Sequence, residues 1–130
     1  MTESSGQERR LVLRTLAMPG DLNPGGTMFG GWLLSQMDMA AGLAARAHAR
    51  TGSLTVAIND VRFLRPVRPG EVVEAYAALQ RVGRSSMTFL VEIEAGDPGS
   101  GEMQPACVAA FTMVAVDADG RPIPVVREPD

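Results

Sequence analysis

One stretch constrains this chain more than any other: residues 24–49, PGGTMFGGWLLSQMDMAAGLAARAHA, the longest apolar run, which contains a single carboxylate, Asp38. Residues 19–26 (PGDLNPGG) in front of it are dense in turn formers. The pattern predicts a helix of about 20 residues that stops near Arg50, Thr51 and Gly52, with the glycine as terminator. A strand-like run, residues 9–18, precedes it. Four more follow: SLTVAINDVRFLRPV, EVVEAYAALQRV, SSMTFLVEIEA and ACVAAFTMVAVD, separated by RPGE, VGRS and GDPGSGE. Strand, one long helix, then four strands predicts an α+β domain with one antiparallel sheet packed on one helix. The helix carries Ser35, Gln36, Asp38, Arg46 and His48. Aspartate alone costs about 2.5–3.5 kcal/mol at the centre of a membrane-spanning helix, which argues against a bilayer span.

At 130 residues, one domain is expected. It spans residues 9–124, between a disordered tail at 1–8 and a C-terminal tail at 125–130. The first ten residues lack the apolar core of a signal peptide. A net charge of −3 gives no sign of a nucleic-acid binder. All 12 basic residues are arginine, which with abundant Ala, Gly and Pro hints at a GC-rich bacterial genome. The one cysteine, Cys107, sits in a strand-like apolar run and reads as a small core residue in a reducing cytoplasm. No metal-ligand spacing and no phosphate-cradling glycine motif is present, so neither a metal nor another cofactor is expected.

On a helical wheel, Phe29, Trp32, Leu33, Met37, Met39, Ala40, Leu43 and Ala47 share one broad face, which is expected to cover the sheet. Asp38 lies on another side with Gly31, Ala41, Gly42, Ala45, Ala49 and the bulkier Leu34. That small-residue side is expected to admit a ligand or another subunit. Asp38 reads either as a carboxylate satisfied by nearby donors or as a general base or nucleophile. Gly30 and Gly31 fall in the first turn, where N–H groups lack helical partners and can polarise a carbonyl or hold an anion. The same glycines could equally serve close packing. Gly31 and Asp38 lie two turns apart on nearly one side, roughly 10 Å along the axis. The only histidine, His48, lies ten residues past Asp38, roughly 15 Å along the helix and turned by about 80°, so a Ser-His-Asp triad is not available.

Taken together, DLNPGGTMFGGWLLSQMDMA resembles the signature region of hotdog-fold acyl-CoA thioesterases, most closely the YciA-type bacterial enzymes and the cytosolic acyl-CoA hydrolases. Asp21, Asn23, Gly26, Gly30, Gly31 and Asp38 carry the likeness, and VRFLRPVRPGEVV is similar to the family's second and third strands. Phe29 stands where many relatives have histidine. The resemblance implies a curved sheet wrapped around the helix, and homodimers that assemble further into hexamers or tetramers. It implies hydrolysis of acyl-CoA at a site between subunits. Asp38 would be the catalytic acid position, Asn23 the partner subunit's polar contribution, and Gly31 N–H the group on the thioester carbonyl. Coenzyme A carries three phosphate groups, so donors should line its path. Gly30, Arg65 and the turn Gly83, Arg84, Ser85 and Ser86 are the candidates, the turn offering free N–H groups and two hydroxyls. Two other readings stay open: a non-catalytic acyl-CoA binding module, and a hotdog dehydratase or isomerase.

Overall fold

The computed structural model describes residues 8–125. Five strands and one long helix follow the expected order: β1 (Arg10–Leu16), a 3-10 turn (Pro19–Asp21), α1 (Gly30–Ala49), β2 (Gly52–Phe63), β3 (Val72–Val82), β4 (Ser86–Gly96) and β5 (Gln104–Val116). All pairings are antiparallel, and the strand order is β1-β3-β4-β5-β2. Inward residues of β4 alternate strictly, with Met87, Phe89, Val91, Ile93 and Ala95 buried, as a sheet covered on one face requires. β5 answers them with Met113, Phe111, Ala109 and Cys107. Burial pushes the Cys107 thiol up to about 11, so it stays protonated in the core.

α1 ends one residue after Ala49, at Arg50, whose left-handed backbone (φ 62°) caps the helix through its N–H to Arg46 O. The αL cap expected of glycine is thus formed by an arginine two residues earlier, and Gly52 instead opens β2.

The wheel reading needs correction. Leu33, Met37 and Ala40 of the face expected to cover the sheet are buried there, but several of its other members are not. Phe29, Met39 and Leu43 are each about half exposed, and Ala47 is exposed too. The face against the sheet is Leu33, Gln36, Met37, Ala40, Ala41, Ala45 and Ala49. Three residues assigned to the open side, Ala41, Ala45 and Ala49, are therefore in the core. The sheet face is already filled by Phe89, Phe111, Met87 and Met113, so beyond Leu33 and Met37 the helix seats there mostly through alanines. Hydrophobicity alone does not separate a residue buried on its own sheet from one left over for a partner.

Leftover apolar surface also runs along β2, the strand at one edge of the sheet, where Leu54, Val56 and Ile58 are 52%, 57% and 40% exposed. A 12-residue edge with apolar side chains is a template for another strand.

Beyond β5 the chain turns at residues 117–121 and runs back along the sheet. Ile123 N–H donates to Ala115 O (2.9 Å) and Val125 N–H to Arg84 O (2.8 Å). Val125 therefore belongs to the ordered domain, not to the C-terminal tail. The rest of both expected tails, apart from the exposed Glu8, lies outside the described residues.

Candidate active site

The segment before α1 is a tight loop built on one asparagine. Asn23 N–H donates to Thr27 O (2.7 Å), Thr27 N–H to Asn23 Oδ1 (3.1 Å), and Asn23 Nδ2 to Thr27 Oγ1 (2.8 Å). Gly26, at φ 85°, lets the loop close. Two bonds fix this loop to the helix entry. Phe29 N–H donates to Asp21 O (3.0 Å), and Met28 N–H to Val67 O (2.8 Å).

The helix that follows has no side-chain cap and no acidic residue in its first turn. Trp32 and Leu33 N–H groups go to Phe29 O, while the described backbone bonds leave Gly30 and Gly31 N–H untaken. The two glycines differ in their surroundings. A Cβ on Gly30 would lie 3.0 Å from Cζ of the Phe63 ring, whereas one on Gly31 would meet nothing within 4 Å. Gly30 is glycine because an aromatic ring rests on the helix entry. Gly31 faces open space, where an approaching atom can reach its N–H.

Asp38 is exposed on the β2 flank of α1 and accepts a hydrogen bond from the Thr55 hydroxyl at 2.6 Å. Thr55 was missed in the sequence. Its signal there is only a hydroxyl on a strand, and 17 residues separate it from Asp38. The carboxylate is thus neither bare in the core nor paired with an arginine. Asn23 and Asp38 share no bond within the chain; Asn23 is engaged in its own loop.

The remaining candidates divide. Arg65 gives Nη1 to Pro66 O (2.6 Å) and Glu71 Oε1 (3.3 Å), and Nη2 to Glu71 Oε2 (2.8 Å) and Ala95 O (3.0 Å). Its four Nη–H donors are therefore spent, and Nε is buried. No donor is left for a phosphate. Burial raises the Glu71 carboxyl, but the Arg65 bond and the Arg68 N–H outweigh it and hold the group below the usual carboxylate range. The pair instead stiffens the loop whose Val67 O anchors Met28.

In the VGRS turn, Gly83 N–H is not free as expected, since it donates to Ser86 O (2.8 Å) and closes the hairpin. A Cβ on Gly83 would sit 2.6 Å from Ser86 Oγ, so a side chain there would require the serine hydroxyl to turn away. Arg84 is exposed at the tip, beside Ser85 and Ser86. Cross-strand register carries this hairpin toward Asp38: Val82 faces Met87, Met87 faces Met113, and Met113 faces Thr55. Two strand spacings, roughly 10 Å, separate the start of β4 from Thr55.

A cavity of about 520 Å³ opens elsewhere, on the opposite flank of α1, lined by Leu11, Val12, Leu43, Ala44, His48 and Phe89. It contains neither Asp38 nor the glycines. Among the described residues no cluster of three or more His, Cys, Asp or Glu could hold a metal, and no helix is long and apolar enough to cross a membrane.

A five-stranded antiparallel sheet packed on one long helix defines a hotdog-fold protein. Residues 25–102 match the thioesterase superfamily. The chain is 43% identical over 115 residues to the acyl-CoA thioester hydrolase YciA of Escherichia coli, covering 86% of this chain and 87% of that one. It superposes on a hexameric thioesterase of Yersinia pestis with a TM-score of 0.86 at 43% identity, covering 92% and 97% of the two chains. An acyl-CoA hydrolase of Staphylococcus aureus, solved with butyryl coenzyme A and coenzyme A, gives a TM-score of 0.83 at 30% identity, covering 94% and 76%. The chain belongs to the thioesterase superfamily.

Proposed function

We propose that this enzyme is an acyl-CoA thioester hydrolase in which Asp38 is the acid-base or nucleophilic group. The observation that carries the reading is an exposed carboxylate, Asp38, oriented by the Thr55 hydroxyl on the long helix. As a base, Asp38 takes a proton from water as its oxygen adds to the thioester carbonyl carbon. The carbonyl oxygen becomes negative and is stabilised by backbone N–H. The C–S bond then breaks, and the proton passes to the departing thiolate. As a nucleophile, Asp38 would add to the carbonyl carbon and break the C–S bond, the departing thiolate taking a proton from solvent, and water would then open the mixed anhydride to the free acid and the Asp38 carboxylate.

The rise of α1 puts roughly 10 Å between Gly31 and Asp38 in one chain, too far for both to serve a single carbonyl. A shared site resolves this. The Phe29 to Asp21 bond ties the Asn23 loop to the start of α1, so a subunit that delivers Asn23 also delivers its own Gly31 N–H. Asp38 with Thr55 then comes from one subunit, and Asn23 with Gly31 from the other. The apolar β2 edge is the natural seam, and assembly into a hexamer follows the Yersinia pestis relative. Arg84, Ser85 and Ser86 are the donors offered to coenzyme A, while Gly30, Gly83 and Arg65 shape and stiffen the site. No cofactor is required by this chemistry, and a cytoplasmic enzyme is the expected setting.

The test is free-thiol release from a panel of short, medium, long and aryl acyl-CoAs, with and without a chelator. Hydrolysis that survives chelation is expected. Replacing Asp38 by Asn should lower kcat by at least about 100-fold with an unchanged melting temperature, because lost general-base catalysis is worth roughly 10²–10⁴. Binding without thiol release would favour the regulatory module.

A further inference from the structure

Behind Asp38 and Thr55, where the reading above puts the thioester carbonyl, the sheet carries a row of methionines. Thr55 faces Met113 on β5, and Met113 faces Met87 on β4. Thr55 points to the helix, since it bonds Asp38, so this row points there as well. The Thr55 hydroxyl oxygen lies 3.4 Å from Met113 Sδ, so the carboxylate's hydrogen-bond donor rests against a thioether. Met87 and Met113 are 0% and 2% exposed. Met37, one residue before Asp38 and turned about 100° from it toward the sheet, is 0% exposed in the same cluster.

The neighbouring rows are made of other residues: Phe89 with Phe111, Val91 with Ala109, Ile93 with Cys107. Valine and isoleucine are stiff at χ1, and aromatic rings swing as plates. Methionine is unbranched, turns about three bonds and re-packs at small cost. The row nearest Asp38 is thus the one that can yield, while the rows beyond it hold the sheet rigid.

We propose that Met113 and Met87 form a yielding end-wall for the acyl chain and determine which chain lengths this enzyme accepts. Short acyl groups stop against the thioethers. Longer ones displace them into the space the methionines' own rotations open. This inference rests on the thioester-hydrolase reading above.

The experiment is kcat/KM for saturated acyl-CoAs from two to sixteen carbons, measured on wild type, Met113→Ala, Met113→Phe, Met87→Ala and Val91→Ala. Met113→Ala and Met87→Ala should each raise the ratio of long-chain to short-chain kcat/KM by about tenfold or more, the order expected for methylenes gaining an apolar pocket. Met113→Phe should depress chains beyond about six carbons more than it depresses acetyl-CoA, so the ratio of long-chain to short-chain kcat/KM falls. Val91→Ala, a core truncation two rows away, should lower the melting temperature and leave the profile parallel to wild type. If Met113→Ala does not fold, the volume-conserving Met113→Leu replaces it and should narrow the range. Variant profiles parallel to wild type would overturn the end-wall. Wild type inactive on every acyl-CoA would instead overturn the functional reading, so the two failures are distinguishable.

Discussion

Thr55 on β2 donates its hydroxyl hydrogen to Asp38 Oδ1 on α1 at 2.6 Å, joining the helix to the edge strand. The bond fixes one carboxylate oxygen and leaves the other free to act. It is also an exposed bond in the single chain, so its contribution to stability is small and its contribution to orientation is what a substitution would reveal.

Replacing Thr55 by Val should therefore lower kcat by about tenfold or more and move KM little, because a misdirected base harms the chemical step. Thr55→Ser, which keeps the hydroxyl, should restore most of the rate. Equal losses in both variants would show that the methyl group, not the hydrogen bond, matters.

The two glycines should separate cleanly. Gly30→Ala puts a Cβ 3.0 Å from the half-exposed Phe63 ring, so the ring must shift, which offsets the gain of about 1 kcal/mol that alanine brings to a helix, and urea unfolding should show it less stable than Gly31→Ala. Gly31→Ala meets no atom within 4 Å and adds a better helix former. It should be as stable as wild type or slightly more so, yet less active, since the new methyl group crowds the N–H offered to the carbonyl.

Subunit mixing tests who supplies what. Asn23→Ala and Asp38→Ala, each inactive, are unfolded together and refolded. Random pairing makes about half the dimers mixed, each with one intact site of two, so about a quarter of wild-type activity should return. Gly31→Ala mixed with Asp38→Ala should likewise give more activity than the average of the two variants alone. No recovery, with exchange verified by mass spectrometry, would place all the groups in one subunit. Light scattering on the wild type should give a mass above the 13.8 kDa of one chain.

Acid stability should depend on Glu74, which is 6% exposed on the outer face of β3 and bonded by Arg14 Nε (2.7 Å) and Tyr76 OH (2.9 Å). Burial raises its carboxyl, but these two donors outweigh burial and hold it below the usual range. A depressed folded value means that the stabilisation is present above the unfolded carboxylate range, near about 4.3, and is lost as pH falls through the lower folded value. Glu74→Gln should thus cost about 1.5–3 kcal/mol at pH 7, the range for hydrogen bonds to charged groups. That deficit should shrink on acidification below pH 4, as read from urea midpoints.

The sequence by itself determined the order of elements, the α+β class and the segment that bears the chemistry. Those are local matters: turn formers at residues 19–26, period-two alternation in the later strands and a glycine pair seven residues before a lone carboxylate are all written along the chain. Tertiary structure alone decided three things. It chose which helix face lies on the sheet, because Ala41, Ala45 and Ala49 fit against a concave surface already filled by Phe89 and Phe111, while Met39 and Leu43 do not. It chose the partner of Asp38, because Thr55 comes alongside only when β2 runs antiparallel at the sheet edge next to the helix. And it committed Arg65 to Glu71 and two carbonyls, because a guanidinium brought by a folded loop into contact with acceptors satisfies them before any ligand arrives. In each case the deciding contact joins elements whose spacing along the sequence says nothing about their distance in space.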